Sequence, residues 1–264
     1  MMKTIYRLIL AIALLLLTMT ETQGQPWHVV ILGDSNTFIG GDACDQPRGW
    51  NKWFKEAFAP ASCRSYARSG ATWTNTEVTK RNTTENIGVL GNDNVVYNQI
   101  ERLKDACLQG EQPTPDLIII SAGTNDAWFV SQRPQVFAQT VDGAFADEAM
   151  STRPANEVLT LAESVRYGCE LLKTAFPEAR IILLTPLQAT KADAQSITKA
   201  GDIIEACARR MALGVIRLDQ EGCIKVADQR SVRKYTTDGV HTNVAGARYN
   251  GLLVARRVKE MIKK

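Results

Sequence analysis

The chain has 264 residues, of which 45% are hydrophobic and 22% are charged, a balance that is ordinary for a soluble globular protein. The length fits one large α/β domain, which buries most of its surface without needing disulfides. The formal net charge is only +3, so electrostatics give no reason to expect nucleic-acid binding.

The first 24 residues have the pattern of a secretory signal peptide: two basic residues, an uncharged apolar run over residues 8–19, and small residues before a cleavage point after Gly24. The alternative is a membrane anchor, but a spanning helix needs about 20 apolar residues. We therefore expect removal of residues 1–24, a single mature domain over residues 25–264 with no membrane span, and export to the periplasm or the medium.

Five short runs of aliphatic and β-branched residues predict strands. They lie at Trp27–Leu32, Cys63–Ala67, Asp116–Ser121, Ala179–Leu184 and Gly214–Leu218. Runs of this kind without alternation are typical of strands that are buried on both faces of a parallel sheet.

Helical periodicity fills most of the segments between the strands. The predicted helices are Trp50–Phe58, Val95–Cys107, Val158–Phe176, Ile197–Leu213 and Val244–Ile262. Pro177 and Gly214 are expected to end the third and fourth helices, and Asn243 is expected to cap the last one. The alternation of strand and helix predicts a doubly wound parallel sheet. Residues 74–94 and 128–156 do not fit the pattern and are expected to be long, functional or disordered loops.

The first polar motif, G-D-S-N at residues 33–36, directly follows the first strand. It places Ser35 beyond the carboxyl end of that strand, where ligands bind in open parallel sheets. A simpler interpretation is that Asp34 or Ser35 caps the next helix, so this motif alone does not establish catalysis.

Two further motifs offer hydrogen-bond donors. Gly70, in S-G-A after the second strand, allows its backbone N–H to approach a ligand closely. Asn125, in G-T-N-D after the third strand, can direct its amide into the same cleft. Each motif alone is explained equally well as a turn. Asp126 is expected to hold its loop rather than to react.

The fourth motif, D-G-V-H, precedes the last helix and contains one of the two histidines of the chain. The carboxylate of Asp238 can accept a hydrogen bond from one nitrogen of His241 and leave the other free to take a proton from Ser35. The alternative is that Asp238 only completes an Asp-Gly turn. Together the four motifs supply the nucleophile, base, orienting acid and oxyanion donors that acyl transfer requires.

The blocks G-D-S-N, S-G-A, G-T-N-D and D-G-V-H, in this order, resemble blocks I, II, III and V of the SGNH (GDSL-like) hydrolases. The resemblance extends over nearly the whole mature chain. It implies a flavodoxin-like three-layer α/β/α sandwich with a five-stranded parallel sheet. One departure is Asn36, which stands where many members have leucine.

The same resemblance implies roles for individual residues. Ser35 would be the nucleophile, His241 the general base and Asp238 its partner. The backbone N–H groups of Ser35 and Gly70 and the side chain of Asn125 would form the oxyanion hole. The reaction would be ester hydrolysis through an acyl-enzyme, without a metal or another cofactor.

Aromatic residues near the motifs bear on the substrate. Trp73, Trp128 and Phe129 follow the second and third motifs and have polar neighbours, an arrangement that suits sugars better than acyl chains, which need a broad apolar lining. The alternative is that these rings only anchor loops. We expect a short-chain acyl (acetyl) ester on a carbohydrate; alternatives are O-acyl transfer to a glycan, hydrolysis of a lipid or lysophospholipid, and a non-catalytic glycan-binding module.

Other catalytic patterns are poorly supported. No G-x-S-x-G elbow is present, and Ser196, in an S-x-x-K pattern, lacks the companion motifs of that class. The six cysteines form no C-x-x-C pair, so a zinc site is not expected. Disulfides and buried free thiols are both compatible with an exported protein.

Overall fold

The computed structural model describes residues 27–84, 94–146 and 148–263, so the predicted signal peptide lies outside the described residues. Five strands form one sheet, in the order β2-β1-β3-β4-β5, and every neighbouring pair is parallel. The strands are His28–Gly33 (β1), Ser62–Ser65 (β2), Leu117–Ser121 (β3), Arg180–Leu184 (β4) and Gly214–Ile216 (β5). The predicted five-stranded parallel sheet is therefore confirmed.

Helices connect the strands. The α-helices are Ser35–Phe38 (α1), Trp50–Phe58 (α2), Val96–Leu108 (α3), Thr124–Trp128 (α4), Val141–Ala144 (α5), Leu161–Ala175 (α6), Ala194–Arg210 (α7), Leu218–Glu221 (α8), Gln229–Tyr235 (α9) and Val244–Ile262 (α10). Short 3₁₀ helices lie at Phe129–Ser131, Pro134–Phe137, Met150–Thr152 and Ala155–Glu157.

Side-chain alternation along the strands divides the interior into two apolar layers. On β1, Val30 and Leu32 pack in the core beneath α3, α6 and α7, whereas Val29 and Ile31 pack in the core beneath α2 and α10. Successive side chains of a strand point to opposite faces of the sheet, so an unbroken apolar run requires cover on both faces. The predicted three-layer α/β/α sandwich is confirmed.

Two helix boundaries follow from capping residues. The last helix, α10, has its predicted bounds, and the Asn243 side chain accepts a hydrogen bond from the backbone N–H of Gly246 at 3.0 Å, as expected for the N-cap. Helix α6 begins at Leu161 instead of Val158, because Thr160 and Glu163 form a reciprocal capping box there.

Other boundaries were predicted wrongly. Helix α7 ends at Arg210, before the predicted stop at Gly214, because Ala212 adopts a left-handed conformation with φ of 55° and Gly214 already begins β5. Strand β5 ends at Ile216, and Leu218 starts a short helix. Propensity alone does not locate a left-handed alanine, since this conformation is unfavourable for residues other than glycine.

The two segments predicted to be long loops differ in structure. Residues 74–84, which belong to the first segment, contain no helix or strand. The segment over 128–156 consists of short helical turns that cover α6, and Met150 and Val158 pack with Tyr167 in a small separate core. This second segment is therefore packed against the domain.

The strand register brings the motifs to one edge. Gly33 of β1 pairs with Ser121 of β3, which pairs with Leu184 of β4, so the three strands end at the same level. In the sheet, β2 lies on one side of β1 and β3 lies on the other, so the order of the strands reverses direction at β1. Ser35 therefore follows a strand at a topological switch point, where α/β sheets form their ligand crevice.

Candidate active site

The segment before Ser35 is fixed by a close approach of backbones. Gly33 has a φ of 156°, and a Cβ at this position would lie 2.4 Å from the carbonyl oxygen of Ser121, a distance that only glycine permits. The buried side chain of Gln99 accepts from the N–H of Gly33 at 2.8 Å and donates to its C=O at 2.9 Å. The backbone of Ser121 and the side chain of Gln99 therefore fix the end of β1 just before the serine.

Ser35 is the first residue of α1. Asp34 is the N-cap of that helix, and its carboxylate accepts from the backbone N–H of Asn36 at 3.1 Å. The capping role considered from the sequence thus belongs to Asp34. The side chain of Ser35 needs no part in the cap, and its hydroxyl is directed instead toward the loop before α10.

That loop carries His241 in a tight turn that is organised by Asp238. Oδ1 of Asp238 accepts from the backbone N–H groups of Val240 at 2.9 Å and of His241 at 2.8 Å. Its Oδ2 atom lies 2.7 Å from Nδ1 of His241. One carboxylate therefore both closes the turn and orients the imidazole.

Nε2 of His241 lies 2.9 Å from Oγ of Ser35, across 206 residues of chain. The carboxylate of Asp238 can only accept a hydrogen bond, so the network assigns the imidazole proton to Nδ1. This tautomer leaves the lone pair of Nε2 facing the serine hydroxyl. The structure thus brings together the three side chains that the sequence singled out as nucleophile, base and orienting acid.

The pKa values of Asp34, next to the serine, and Asp238, next to the histidine, are shifted in opposite directions. Burial acts to raise the pKa of Asp238, but the hydrogen bonds from the imidazole and from the backbone N–H groups of His241 and Val240 outweigh it and lower the pKa to about 2. Burial raises the pKa of Asp34 to about 6, although the N–H of Asn36 and the side chain of Thr124 favour its charged form. Asp238 is therefore ionised at neutral pH, whereas Asp34 titrates close to it.

The expected oxyanion donors are gathered by hydrogen bonds between loops. The backbone N–H of Arg68 donates to the C=O of Gly33 at 3.0 Å, which joins the loop of Gly70 to the strand that precedes Ser35. Nδ2 of Asn125 donates to the C=O of Ala71 at 2.8 Å, so its orientation is fixed by the residue after Gly70.

Each of these donors keeps a hydrogen without a protein acceptor in the described part of the chain. Among the described residues, the backbone N–H groups of Ser35 and Gly70 make no hydrogen bond, and Nδ2 of Asn125 has a second hydrogen beyond the one given to Ala71. Gly70 has a φ of 73°, a conformation that favours glycine. N–H groups without partners at a cleft are what an oxyanion site requires.

Asp126 holds the loop between these motifs. It is fully buried and accepts from the backbone N–H groups of Trp73 and Thr74, each at 2.9 Å, and from the hydroxyl of Thr74 at 2.8 Å. Burial raises the pKa of Asp126, and these hydrogen bonds oppose the shift. The contacts agree with the loop-holding role expected from the sequence.

The three aromatic side chains expected to contact substrate differ in placement. Trp73 is 1% exposed and packs in the core against Ile100 and Gly168, so the expectation that it offers a face to a ligand is corrected. Trp128 and Phe129 are half-buried, and their rings stack at a centroid distance of 6.1 Å. They remain available at the end of α4, the helix that begins beside Asn125.

Sequence analysis missed two polar residues that shape the site. Gln99 lies on the apolar face of α3 among Val96, Ile100 and Leu103; a polar residue inside such a stripe is the signal that could have identified it. Asn36 was noted only as a departure from the family pattern, but its buried side chain contacts the turn that carries His241.

Other types of site were sought in the same residues. Within 27–84, 94–146 and 148–263, no group of three His, Cys, Asp or Glu side chains is arranged to hold a metal ion. No helix in this part of the chain has the length and hydropathy to span a bilayer. All six cysteines carry free thiols, and only Cys107 is more than slightly exposed.

Comparison with known proteins gives one family match and several similar folds. A model of the GDSL-like lipase/acylhydrolase family matches residues 31–249. A lipase/acylhydrolase from Enterococcus faecalis is 17% identical, with a TM-score of 0.53 over 89% of this chain and 96% of that chain. A protein from Lactobacillus plantarum is 13% identical, with a TM-score of 0.58 over 91% and 98%. At such identities the two structures support the fold alone, and a search of curated proteins found no match.

Proposed function

The chain belongs to the GDSL-like lipase/acylhydrolase family and is a carboxylic ester hydrolase; from this premise we propose that Ser35, His241 and Asp238 act as its catalytic triad. The observation that carries the proposal is the continuous chain of contacts from Oδ2 of Asp238 to Nδ1 of His241, at 2.7 Å, and from Nε2 to Oγ of Ser35, at 2.9 Å. A nucleophile within hydrogen-bond reach of a base that a third group orients is the arrangement that activates serine.

In the first half of the reaction, the lone pair of Nε2 takes the hydroxyl proton as Oγ of Ser35 bonds to the ester carbonyl carbon. The carbonyl electrons move to oxygen, and the tetrahedral oxyanion accepts hydrogen bonds from the N–H groups of Ser35 and Gly70 and from Asn125. When the intermediate collapses, the C–O bond to the alcohol breaks and the imidazolium of His241 gives its proton to the leaving alkoxide.

In the second half, His241 removes a proton from water as the water oxygen attacks the acyl carbon. A second tetrahedral intermediate forms at the same donors, and its collapse returns the proton to Oγ of Ser35 and releases the carboxylic acid. Asp238 remains ionised throughout, because its low pKa keeps the proton on Nδ1.

For the substrate we propose a short acyl group, with acetyl favoured, on a carbohydrate. The side chains around the turn of His241 are polar: the guanidinium of Arg48 lies 3.4 Å from the hydroxyl of Thr237, and Thr190 contacts Gly239. The half-buried ring of Trp128 lies beneath the ammonium of Lys191, which is 5.8 Å from the ring centroid. Polar groups beside an aromatic face suit a sugar better than a long acyl chain.

We also propose that the protein acts after export, because residues 1–24 have the signal-peptide pattern described above. Expression of the full chain with recovery from the periplasm or medium, followed by N-terminal sequencing, should give Gln25 as the first residue. A product that retains Met1 and stays in the cytoplasm would contradict this localisation.

The decisive test of the catalytic proposal is labelling by a fluorophosphonate, which reacts with activated serines. The parent protein should be labelled at Ser35 and should hydrolyse p-nitrophenyl acetate, and Ser35→Ala should lose both properties while remaining folded. Ser196→Ala is the matched control, because the hydroxyl of Ser196 bonds to Asp193 at the start of α7, away from the proposed triad. Full activity in Ser35→Ala would reject the proposal, and a preference for long acyl chains would reject the short-chain assignment alone.

A further inference from the structure

The side chain of Asn36 brackets His241. Its Nδ2 atom donates to the C=O of Val240 at 3.2 Å, and its Oδ1 atom accepts from the N–H of Thr242 at 3.1 Å. The amide is 3% exposed. One buried side chain, next to the serine in sequence, is therefore bonded to the residues on either side of the histidine.

The orientation of this amide is determined by its partners. A backbone N–H can only donate and a backbone C=O can only accept, so the oxygen of Asn36 must face Thr242 and its nitrogen must face Val240. In the described part of the chain, neither of these two backbone groups has another hydrogen-bond partner. Loss of the amide would leave both groups unsatisfied in a buried position.

The local strand pairing explains why Thr242 turns toward Asn36. Thr242 forms an antiparallel bridge with Thr236. The bridge uses the flanking hydrogen bonds, from Thr237 N–H to His241 C=O at 2.9 Å and from Asn243 N–H to Tyr235 C=O at 3.0 Å. The N–H of Thr242 itself therefore points away from the bridge.

Other contacts of the turn do not perform this task. Asp238 organises the turn internally. Two further contacts join the turn to other loops. The N–H of Thr190 donates to the C=O of Gly239, and the C=O of Arg48 accepts from the hydroxyl of Thr242 at 2.9 Å. Apart from the reacting pair itself, Asn36 is the member of α1 that bonds to the turn among the described residues.

We propose that Asn36 is a positioning residue that sets the distance between Oγ of Ser35 and Nε2 of His241, an inference that rests on the proposed triad. Its backbone is tied to the N-cap Asp34 and its side chain to the turn of the base, so it couples the two reacting groups through one rigid residue. Leucine, common at this position in the family, has no group that could make either bond. This chain thus uses its departure from the family pattern to hold the histidine.

The test compares Asn36→Leu with Asn250→Leu. Asn250 is also fully buried, and its side-chain oxygen accepts from the N–H of Cys223 at 3.1 Å, away from the turn. Both variants lose a buried amide and leave a backbone group unpaired, so both should be less stable in urea unfolding. Only Asn36→Leu should lose kcat per folded molecule on p-nitrophenyl acetate, by on the order of 100-fold with little change in KM, because a small misplacement of a base has a cost of this size.

Asn36→Asp adds a readout that a purely structural role would not move. The carboxylate still accepts from Thr242 N–H but cannot donate to Val240, so kcat should recover in part. Its negative charge beside the imidazole should also stabilise the imidazolium and shift the rising limb of the pH–rate profile to higher pH. If Asn36→Leu does not fold, Asn36→Ala, which adds no bulk, serves for the same comparison.

The outcomes separate the two proposals. Strong fluorophosphonate labelling of the parent at Ser35 together with a kcat for Asn36→Leu or Asn36→Ala within about threefold of the parent would overturn the positioning role alone. An equal loss of kcat per folded molecule in Asn250→Leu would overturn it as well. A parent that is not labelled and does not depend on Ser35 would overturn the triad, and the positioning role with it.

Discussion

Gly239 lies so close to Thr190 that a Cβ on this glycine would fall 2.1 Å from Oγ1 of the threonine. The backbone N–H of Thr190 also donates to the C=O of Gly239 at 2.9 Å. The absence of a side chain at Gly239 therefore determines how near the turn of His241 approaches the loop after β4. The φ of Gly239 is 84°, which would strain any other residue even without the contact.

We expect Gly239→Ala to impair catalysis more than stability alone explains. Gly110→Ala is the matched control, because Gly110 has a similar φ of 75° and open space where its Cβ would lie. Both variants should lose about 1–2 kcal/mol of unfolding free energy from the left-handed conformation. Only Gly239→Ala should also lower kcat, on the order of 100-fold. Equal kcat values for the two variants would show that Thr190 does not constrain the turn.

Asn125→Ala should lower kcat by on the order of 100-fold to 1000-fold with little change in KM, since one oxyanion donor contributes about 3–4 kcal/mol to the transition state. The change also leaves the C=O of Ala71 without its partner. Asn250→Ala therefore controls for loss of a buried amide. Steady-state kinetics on p-nitrophenyl acetate measure the effect, and a rise in KM at constant kcat would exclude Asn125 as an oxyanion donor.

The pKa of Asp34 predicts a pH dependence of stability. The folded value of about 6 lies above the ordinary value of 3.8, so between pH 4 and 6 the unfolded chain has released a proton that the folded chain retains. The free energy of unfolding should therefore fall as the pH rises through this window, by at most about 3 kcal/mol from this residue, and should not change further because of Asp34 above it.

Asp34→Asn tests this assignment, because an amide oxygen can still accept from the N–H of Asn36 and does not ionise. The variant should match the parent near pH 4 and exceed it in stability above pH 6, with a smaller slope between the two. Urea unfolding measured at pH steps from 4 to 8 gives the comparison. Parallel curves for parent and variant would mean that Asp34 does not carry the pH dependence.

The pKa of Asp238 is shifted in the opposite direction to that of Asp34, so its effect on stability has the opposite pH dependence. Its folded pKa of about 2 lies below the ordinary 3.8, so its contribution to stability is present above pH 4 and is lost as the pH falls toward 2. The side chain is 42% exposed, so solvent screening keeps this contribution small. The effect on activity should be much larger, because the carboxylate selects the tautomer of His241.

Asp238→Asn should therefore lower kcat by on the order of 10⁴-fold, because an amide at this position favours the wrong tautomer of the imidazole. Asp228→Asn is the control: Asp228 also has a lowered pKa and caps a helix, α9, through the N–H of Arg230. It should retain full kcat. A loss in Asp238→Asn no greater than that in Asp228→Asn would assign Asp238 to the turn alone.

The sheet could be predicted from the sequence because strands covered on both faces must be apolar at every position, and such runs stand out. The site was predictable where a motif directly follows a strand, as with Ser35 and Asn125, since the register brings the strand ends together. The exact ends of the strands and helices were harder to predict. The end of α7 depends on Ala212 in a left-handed conformation, which local propensity disfavours. The backbone N–H of Leu213 bonds to the C=O of Ala208 across this residue, at 2.9 Å, and closes the end of the helix.

Contacts between residues far apart in the sequence could not be predicted from it. Asn36 and the turn of His241 are more than 200 residues apart, and no local pattern states that they meet. Trp73 was misplaced for a related reason. Its position after a motif is typical of a loop at the site. In the structure, however, the backbone N–H of Trp73 bonds to the buried carboxylate of Asp126, and the indole packs in the core.

The contrast between Trp128 and Trp73 gives the last prediction. Trp73→Ala removes a core side chain and should cost about 3–5 kcal/mol of stability. Trp128→Ala should cost little stability and should raise KM for an acetylated oligosaccharide by roughly tenfold, since an aromatic contact contributes on the order of 1 kcal/mol. KM for p-nitrophenyl acetate, which has no sugar to stack on the ring, should not change.

Phe137→Ala is the control for Trp128→Ala, because Phe137 is also half-buried and lies 4.8 Å beneath an ammonium group, that of Lys199 on α7. The two aromatic–lysine pairs are alike, but only Trp128 shares a helix with Asn125. A tenfold rise in KM restricted to the sugar ester and to Trp128→Ala would place a sugar on this ring. Equal KM values for parent and Trp128→Ala on the sugar ester would instead remove the main structural support for a carbohydrate substrate, and the acyl-chain series would then decide between a short ester and a lipid.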